Sequence, residues 1–135
     1  MKFQIFKNEN FTVLKLQENK LTSSIAGDLK TEFIQLNTLG TNHIILNLDD
    51  VEYTDSSGLS AILIGNRLCK SAGGILVLCC VNPHVKKLIK ISQLTNVLNV
   101  RNTEEEAREN IFMFILEHQI EEEAGEKGEE IPSEG

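Results

Sequence analysis

Two apolar runs, His43-Ile44-Ile45-Leu46-Asn47-Leu48 and Ile75-Leu76-Val77-Leu78-Cys79-Cys80-Val81, constrain this chain more than any other feature. Neither alternates between apolar and polar residues, so each reads as a strand covered on both faces. Between them lies a predicted helix from about Ser57 to Ser71, stopped by Gly73-Gly74. Two such strands joined by one helix form a βαβ unit, with parallel strands and a right-handed crossover.

The flanking segments add to that unit. Phe3-Gln4-Ile5-Phe6 and Phe11-Thr12-Val13-Leu14-Lys15-Leu16 read as strands around a polar turn, Lys7-Asn8-Glu9-Asn10. Thr22 or Ser23 can cap a helix to about Leu39, with Ile25, Leu29, Phe33 and Leu36 at near-helical spacing and Gly40 as its stop. Pro83 opens a further helix to about Ser92, and Asn96–Val100 reads as a short edge strand. Thr103 with Glu106 forms a capping box that starts a last helix, through about His118. The predicted fold is α/β, with helices packed on a mixed sheet.

At 135 residues the chain fits one domain, and its 41% hydrophobic content is enough for a core. The net charge of −7 argues against nucleic acid or an anionic membrane as the main partner. Seven acids and one base from Glu121 onward carry most of that charge. We therefore divide the chain into a domain, 1–119, and an acidic C-terminal tail, 120–135, expected to be disordered. No charged-then-apolar leader and no long apolar run is present, so a cytoplasmic location without membrane insertion is expected. Of three cysteines, Cys79 and Cys80 are adjacent and point to opposite faces of a strand. They read as reduced apolar residues, not as a disulfide framework or a metal site.

The segment Tyr53-Thr54-Asp55-Ser56-Ser57-Gly58-Leu59 follows the first buried strand and opens the central helix. Functional positions of open α/β sheets concentrate beyond such strand ends. Unpaired N–H groups and the helix dipole tolerate negative charge there, so a phosphate on Ser56 or Ser57 is accommodated. The alternative is plain capping, for which Asp, Ser and Gly are the preferred residues. Spaced about 100° apart, Ala61, Ile62, Ile64, Gly65, Leu68, Cys69 and Ala72 share one arc, which must face the sheet. Leu59 and Leu63 fall on the other side with Ser60, Asn66, Arg67, Lys70 and Ser71. They are either scattered exposed leucines or a docking patch beside Ser56.

Enzyme chemistry has little support. Ser56 lacks the G-x-S-x-G elbow, and no pattern ties it to His43 or His84. A P-loop is absent, and Asp49, Asp50 and Asp55 lack the spacing of metal ligands. No cofactor is expected, and the chain is read as a non-enzyme.

Leu46-Asn47-Leu48-Asp49-Asp50-Val51 followed by Asp55-Ser56-Ser57-Gly58-Leu59 resembles the core motif of bacterial anti-sigma factor antagonists, the STAS domains. Gly73-Gly74, the next strand and Asn82-Pro83-His84-Val85-Lys86-Lys87-Leu88 continue the resemblance, which spans about residues 3 to 117. It implies a module that binds an anti-sigma factor, a serine kinase, and so releases a sigma factor. It also implies phosphorylation by that kinase at the serine after the motif acid, and reversal by a serine phosphatase. By position the acid is Asp55 and the acceptor Ser56, with Ser57 as the alternative. The implied contact residues are Asp55, Ser56, Ser57, Gly58 and Leu59, with Leu63, Asn66 and Arg67 on the same side. A second reading is a structural subunit of a lipid-transport or stress-sensing assembly, with Ser56 only a cap. One departure stands out: where the family has a Gly-Glu-apolar-Asp turn, this chain has Asn19-Lys20-Leu21-Thr22.

Overall fold

The computed structural model describes residues 1–130, with side chains described to residue 124. The strands are β1 (Phe3–Lys7), β2 (Thr12–Leu16), β3 (Lys20–Leu21), β4 (His43–Asn47), β5 (Tyr53–Thr54), β6 (Ile75–Cys79) and β7 (Asn99–Arg101). The helices are α1 (Ser23–Thr38), α2 (Ser56–Ser71), α3 (Pro83–Ile91) and α4 (Glu104–Glu130). The main sheet has the order β1-β2-β4-β6-β7, and β3 pairs with β5 in a separate two-stranded piece. Only β1 and β2 are antiparallel; β2-β4, β4-β6 and β6-β7 are parallel. The expected hairpin and βαβ unit are both present.

Their local causes are visible. The Asn8 side-chain oxygen accepts from the N–H groups of Asn10 and Phe11, each at 2.9 Å, closing the β1-β2 turn. Gly40 and Gly73 take φ of 84° and 79° just past α1 and α2, the left-handed conformation that glycine adopts without strain. Thr103 Oγ1 accepts from Glu106 N–H at 3.1 Å, while the Glu106 carboxylate reaches Asn102 N–H at 3.2 Å. The capping box thus closes one residue earlier than its usual form.

Both faces of the central strands are buried, as the unbroken apolar runs imply. Leu14, Leu16, Ile44, Leu46, Leu76 and Leu78 join the core under α1, α2 and α3. Val13, Ile45, Val77 and Cys79 point the other way, against Ala107 and Ile111 of α4. Helix α1 lies against α2, where Gly65 leaves room for the Phe33 ring. A Cβ at Gly65 would stand 2.5 Å from that ring. Burying Phe33 there contributes about 1.5–3 kcal/mol.

Two expectations about the C-terminal part change. The edge strand begins at Asn99 instead of Asn96, because residues 95–97 form a turn in which Val97 N–H donates to the Leu94 carbonyl at 3.0 Å. Helix α4 continues past His118 to Glu130, so the tail expected from residue 120 begins as helix. Glu favours helix and no proline interrupts the stretch before Pro132, although Gly125 and Gly128 oppose it. Residues 131–135 of that tail lie outside the described residues.

Candidate functional site

The two-residue strand β5 delivers Asp55 to the start of α2, and Asp55 is the N-cap. Its Oδ1 accepts from Gly58 N–H at 3.0 Å, the usual capping bond. Its Oδ2 accepts from Ser23 N–H at 3.3 Å, at the start of α1. Thr22 occupies the N-cap position of α1 without a side-chain capping bond, its hydroxyl lying 3.1 Å from that of Ser24. The capping expected of Thr22 or Ser23 is therefore performed by Asp55, from a distant part of the chain.

The β3-β5 pairing explains how this comes about. Lys20 is paired with Tyr53 and Leu21 with Thr54, which brings the segment before α1 alongside the segment before α2. Thr54 Oγ1 donates to the Leu21 carbonyl at 2.8 Å and is buried. Gly58 sits against this junction: a Cβ there would meet Leu21 O at 2.5 Å and collide with Thr54 Oγ1. Only glycine fits so close an approach. The departing turn, Asn19-Lys20-Leu21-Thr22, thus lies beside the motif segment, not in a remote loop.

Ser56 is the first residue of α2 and is exposed, while Ser57 is half-buried. Ser56 opens on a groove of about 390 Å³ that it shares with Tyr53, Thr54 and Asp55. The opposite wall is α3, through His84, Lys87, Leu88 and Ile91. Asn82 fixes that helix to the site. Its side-chain oxygen accepts from Val85 N–H at 2.9 Å, capping α3, and its amide donates to the Glu52 carbonyl at 3.0 Å. The Tyr53 and His84 rings lie 5.8 Å apart. His84 and Lys87, with the exposed Tyr53 and Ile91, therefore line the groove on which Ser56 opens. A larger groove of about 520 Å³, between α3 and β7, is lined by Lys86, Lys90 and Arg101 and does not reach Ser56.

The expected leucine patch is not on the surface. Leu59 is 4% exposed and belongs to the core, and Leu63 is half-buried against it. Asn66 is also buried and donates to the Val97 carbonyl at 3.5 Å. The reason is that α2 is covered on more than its sheet side. Helix α1 packs on one flank and the segment after α3 lies on another, so the arc opposite the sheet is not free. Arg67 is exposed, as expected. Sequence reasoning named Tyr53 in the motif segment and His84 and Lys87 in the resemblance, but assigned neither these nor Ile91 to the contact surface. The signal was available in part, because 84, 87, 88 and 91 share one helical face that ends in an apolar residue 66% exposed.

The family follows from comparison. The STAS domain model matches residues 2–107, and the chain belongs to that family. BtrV of Bordetella bronchiseptica, which carries a provisional name as an anti-sigma factor antagonist, is 29% identical over 79% of this chain and 91% of its own. The anti-sigma F factor antagonist of Paenibacillus polymyxa is 37% identical over 46% of this chain and 53% of its own. The anti-sigma factor antagonist SpoIIAA in its unphosphorylated form superimposes with a TM-score of 0.69 at 23% identity, covering 82% of this chain and 96% of that one. The fold is accordingly that of the STAS domains, a mixed sheet with packed helices.

Proposed function

We propose that the chain is a phosphorylation-gated anti-sigma factor antagonist, a binding module whose partner docks over the groove at Ser56. The observation that carries this reading is the position of Ser56. Its hydroxyl is exposed at the rim of a groove, while the neighbouring Asp55 and Gly58 are committed to holding the fold. A group added to Ser56 changes the surface without disturbing those contacts.

The chemistry supports a switch. A phosphoryl group adds about −1.5 to −2 charge at pH 7. It would stand beside the Asp55 carboxylate and between Tyr53 and Ile91, where a docked partner excludes water. Like-charge repulsion and desolvation then oppose the complex, and each 1.4 kcal/mol lost is about tenfold in affinity. In this reading the partner is an anti-sigma factor with serine kinase activity, and a serine phosphatase restores binding. Two of the named relatives are anti-sigma factor antagonists, and SpoIIAA has also been solved in a phosphorylated form. Ser57, half-buried, is the alternative acceptor. Asp55, Ser57 and Arg67 remain in the proposed contact surface, joined by Tyr53, His84, Lys87 and Ile91, whereas Gly58 is buried against Leu21 and Thr54 and leaves it. Lys20 stands where the family turn has an acid, so the partner's facing charge is expected to be negative at that point.

The test uses the wild-type chain, Ser56→Ala and Ser56→Asp as baits in native lysate of the source organism, with partners identified by mass spectrometry. Capture of an ATP-binding anti-sigma kinase by wild type and Ser56→Ala, but not by Ser56→Asp, is the expected result. Identical partners for all three baits would reduce Ser56 to a helix-start residue and the chain to a structural subunit.

A further inference from the structure

Helix α4 has two apolar faces, and the fold covers one of them while leaving most of the other bare. At about 100° per residue, Ala107, Ile111, Phe114 and Ile115 share the side that packs on β4 and β6. Met113, Leu116 and Ile120 fall on the opposite side, where they are 54%, 49% and 56% exposed, and Phe112, 48% exposed, flanks them with its ring edge-on to Phe11 at 6.1 Å. These are large side chains in one continuous row of about two turns, unlike the singly scattered leucines of ordinary surfaces. A helix with apolar residues all round is normally covered all round.

The ends of this bare face are acidic. Glu105 and Glu109 precede the row on the same side, and Glu123 follows it; all three are exposed. Between Glu104 and Ala124 the helix carries eight acids against one arginine, Arg108, whose guanidinium is held by Glu104 at 2.8 Å. We propose that the outer face of α4 docks an amphipathic helix of a partner protein whose apolar stripe is bracketed by Lys or Arg. A second copy of this chain fits less well. An antiparallel pair centred on Leu116 would set Glu109 against Glu123, and a parallel pair would set each acid against itself. The surface lies on the sheet face opposite α2, so it is separate from the groove at Ser56 and the two partners can bind together.

The test is fluorescence anisotropy of the full-length chain with a labelled synthetic helical peptide of about 18 residues, five turns, bearing leucines along one face and lysines at both ends. Its twin carries glutamate in place of each lysine. The lysine peptide is expected to bind and the twin not. Leu116→Glu and Met113→Glu should each weaken binding about tenfold or more with unchanged circular dichroism, since both side chains point away from the core. Ser56→Asp should bind the peptide as wild type does, whatever becomes of the Ser56 switch. Equal binding of both peptides, no binding, or indifference to both variants overturns the proposal. So does sedimentation equilibrium showing a dimer that Leu116→Glu converts to monomer, which would give the face to a second copy.

Discussion

Asp55 and Ser23 are 32 residues apart in sequence, yet the Asp55 carboxylate accepts the Ser23 N–H at 3.3 Å. The same carboxylate accepts the Gly58 N–H at 3.0 Å, so one side chain closes the starts of both α1 and α2. Removing it with Asp55→Ala should cost about 1–2 kcal/mol, the upper part of the range for a single cap, because two helix starts lose an acceptor. Asp55→Asn keeps one acceptor oxygen and should cost less. Urea unfolding of the three proteins checks the order, and equal stability of wild type and Asp55→Ala would refute the shared cap.

Gly58→Ala should be more damaging than an ordinary glycine-to-alanine change in a helix, where alanine is normally favourable. Here the new methyl meets the Leu21 carbonyl oxygen and Thr54 Oγ1, and the carbonyl is backbone that cannot turn aside. A loss of about 1–3 kcal/mol follows from overpacking. Thermal unfolding measures it, with Gly27→Ala as the comparison, since nothing lies within 4 Å of a Cβ at that position.

The three thiols should react in a fixed order. Cys80 is half-buried, whereas Cys69 and Cys79 are buried. Burial pushes the Cys69 thiol up to about 12, and burial, with Cys80 second, raises Cys79 as well. Little thiolate is present at either site near neutral pH. Alkylation followed by mass spectrometry should label Cys80 first and the other two only on unfolding. Early labelling of Cys69 would contradict the packing of α2 described above.

Stability should fall on mild acidification through His43. Burial, and then the facing His118, lower the His43 pKa below its ordinary 6.5. The unfolded chain therefore takes up a proton at a higher pH than the folded one. Stability drops as pH falls from about 6.5 towards the lowered folded value, and is regained above it. The His43 ring lies 5.8 Å from Phe114, edge on, so His43→Phe should pack and should flatten this part of the profile. Urea midpoints on either side of pH 6.5 decide it; an unchanged slope in the variant would assign the loss elsewhere.

The legibility of the fold followed residue chemistry. The runs at 43–48 and 75–81 had one interpretation because their apolar residues follow one another without alternation, and both became central strands. Strands β3 and β5 were invisible: two residues cannot express a period of two. Their pairing creates the junction at Gly58 and the second bond of Asp55, so the architecture of the site was illegible although its residues were named. Leu59 and Leu63 were misplaced for a different reason. A helical wheel separates the side facing the sheet from the rest, but cannot tell that a later segment will cover the rest. The same limit hid His84, Lys87 and Ile91, which reach the site because Val85 and Ile89 seat α3 on the core and Asn82 ties its start to Glu52.

Strand β4 is apolar on both faces, and this bears on fidelity of folding. In most strands a slip of one residue is penalised by polarity, because it turns the buried set towards water. In β4 such a slip would merely exchange Ile45 with Ile44 or Leu46, all apolar and all buried. Polarity at the strand end must then supply the discrimination. Asn47 provides it: its amide donates to Glu104 at 3.2 Å and its oxygen accepts from Asp49 N–H at 2.9 Å. Displaced by one position, Asn47 would turn to the other face of the sheet and lose Glu104, leaving its amide without that acceptor; the bond from Asp49 N–H is local and would move with it. Asn47 thus acts as an alignment mark for a strand whose three central side chains, Ile44, Ile45 and Leu46, cannot tell one register from the next.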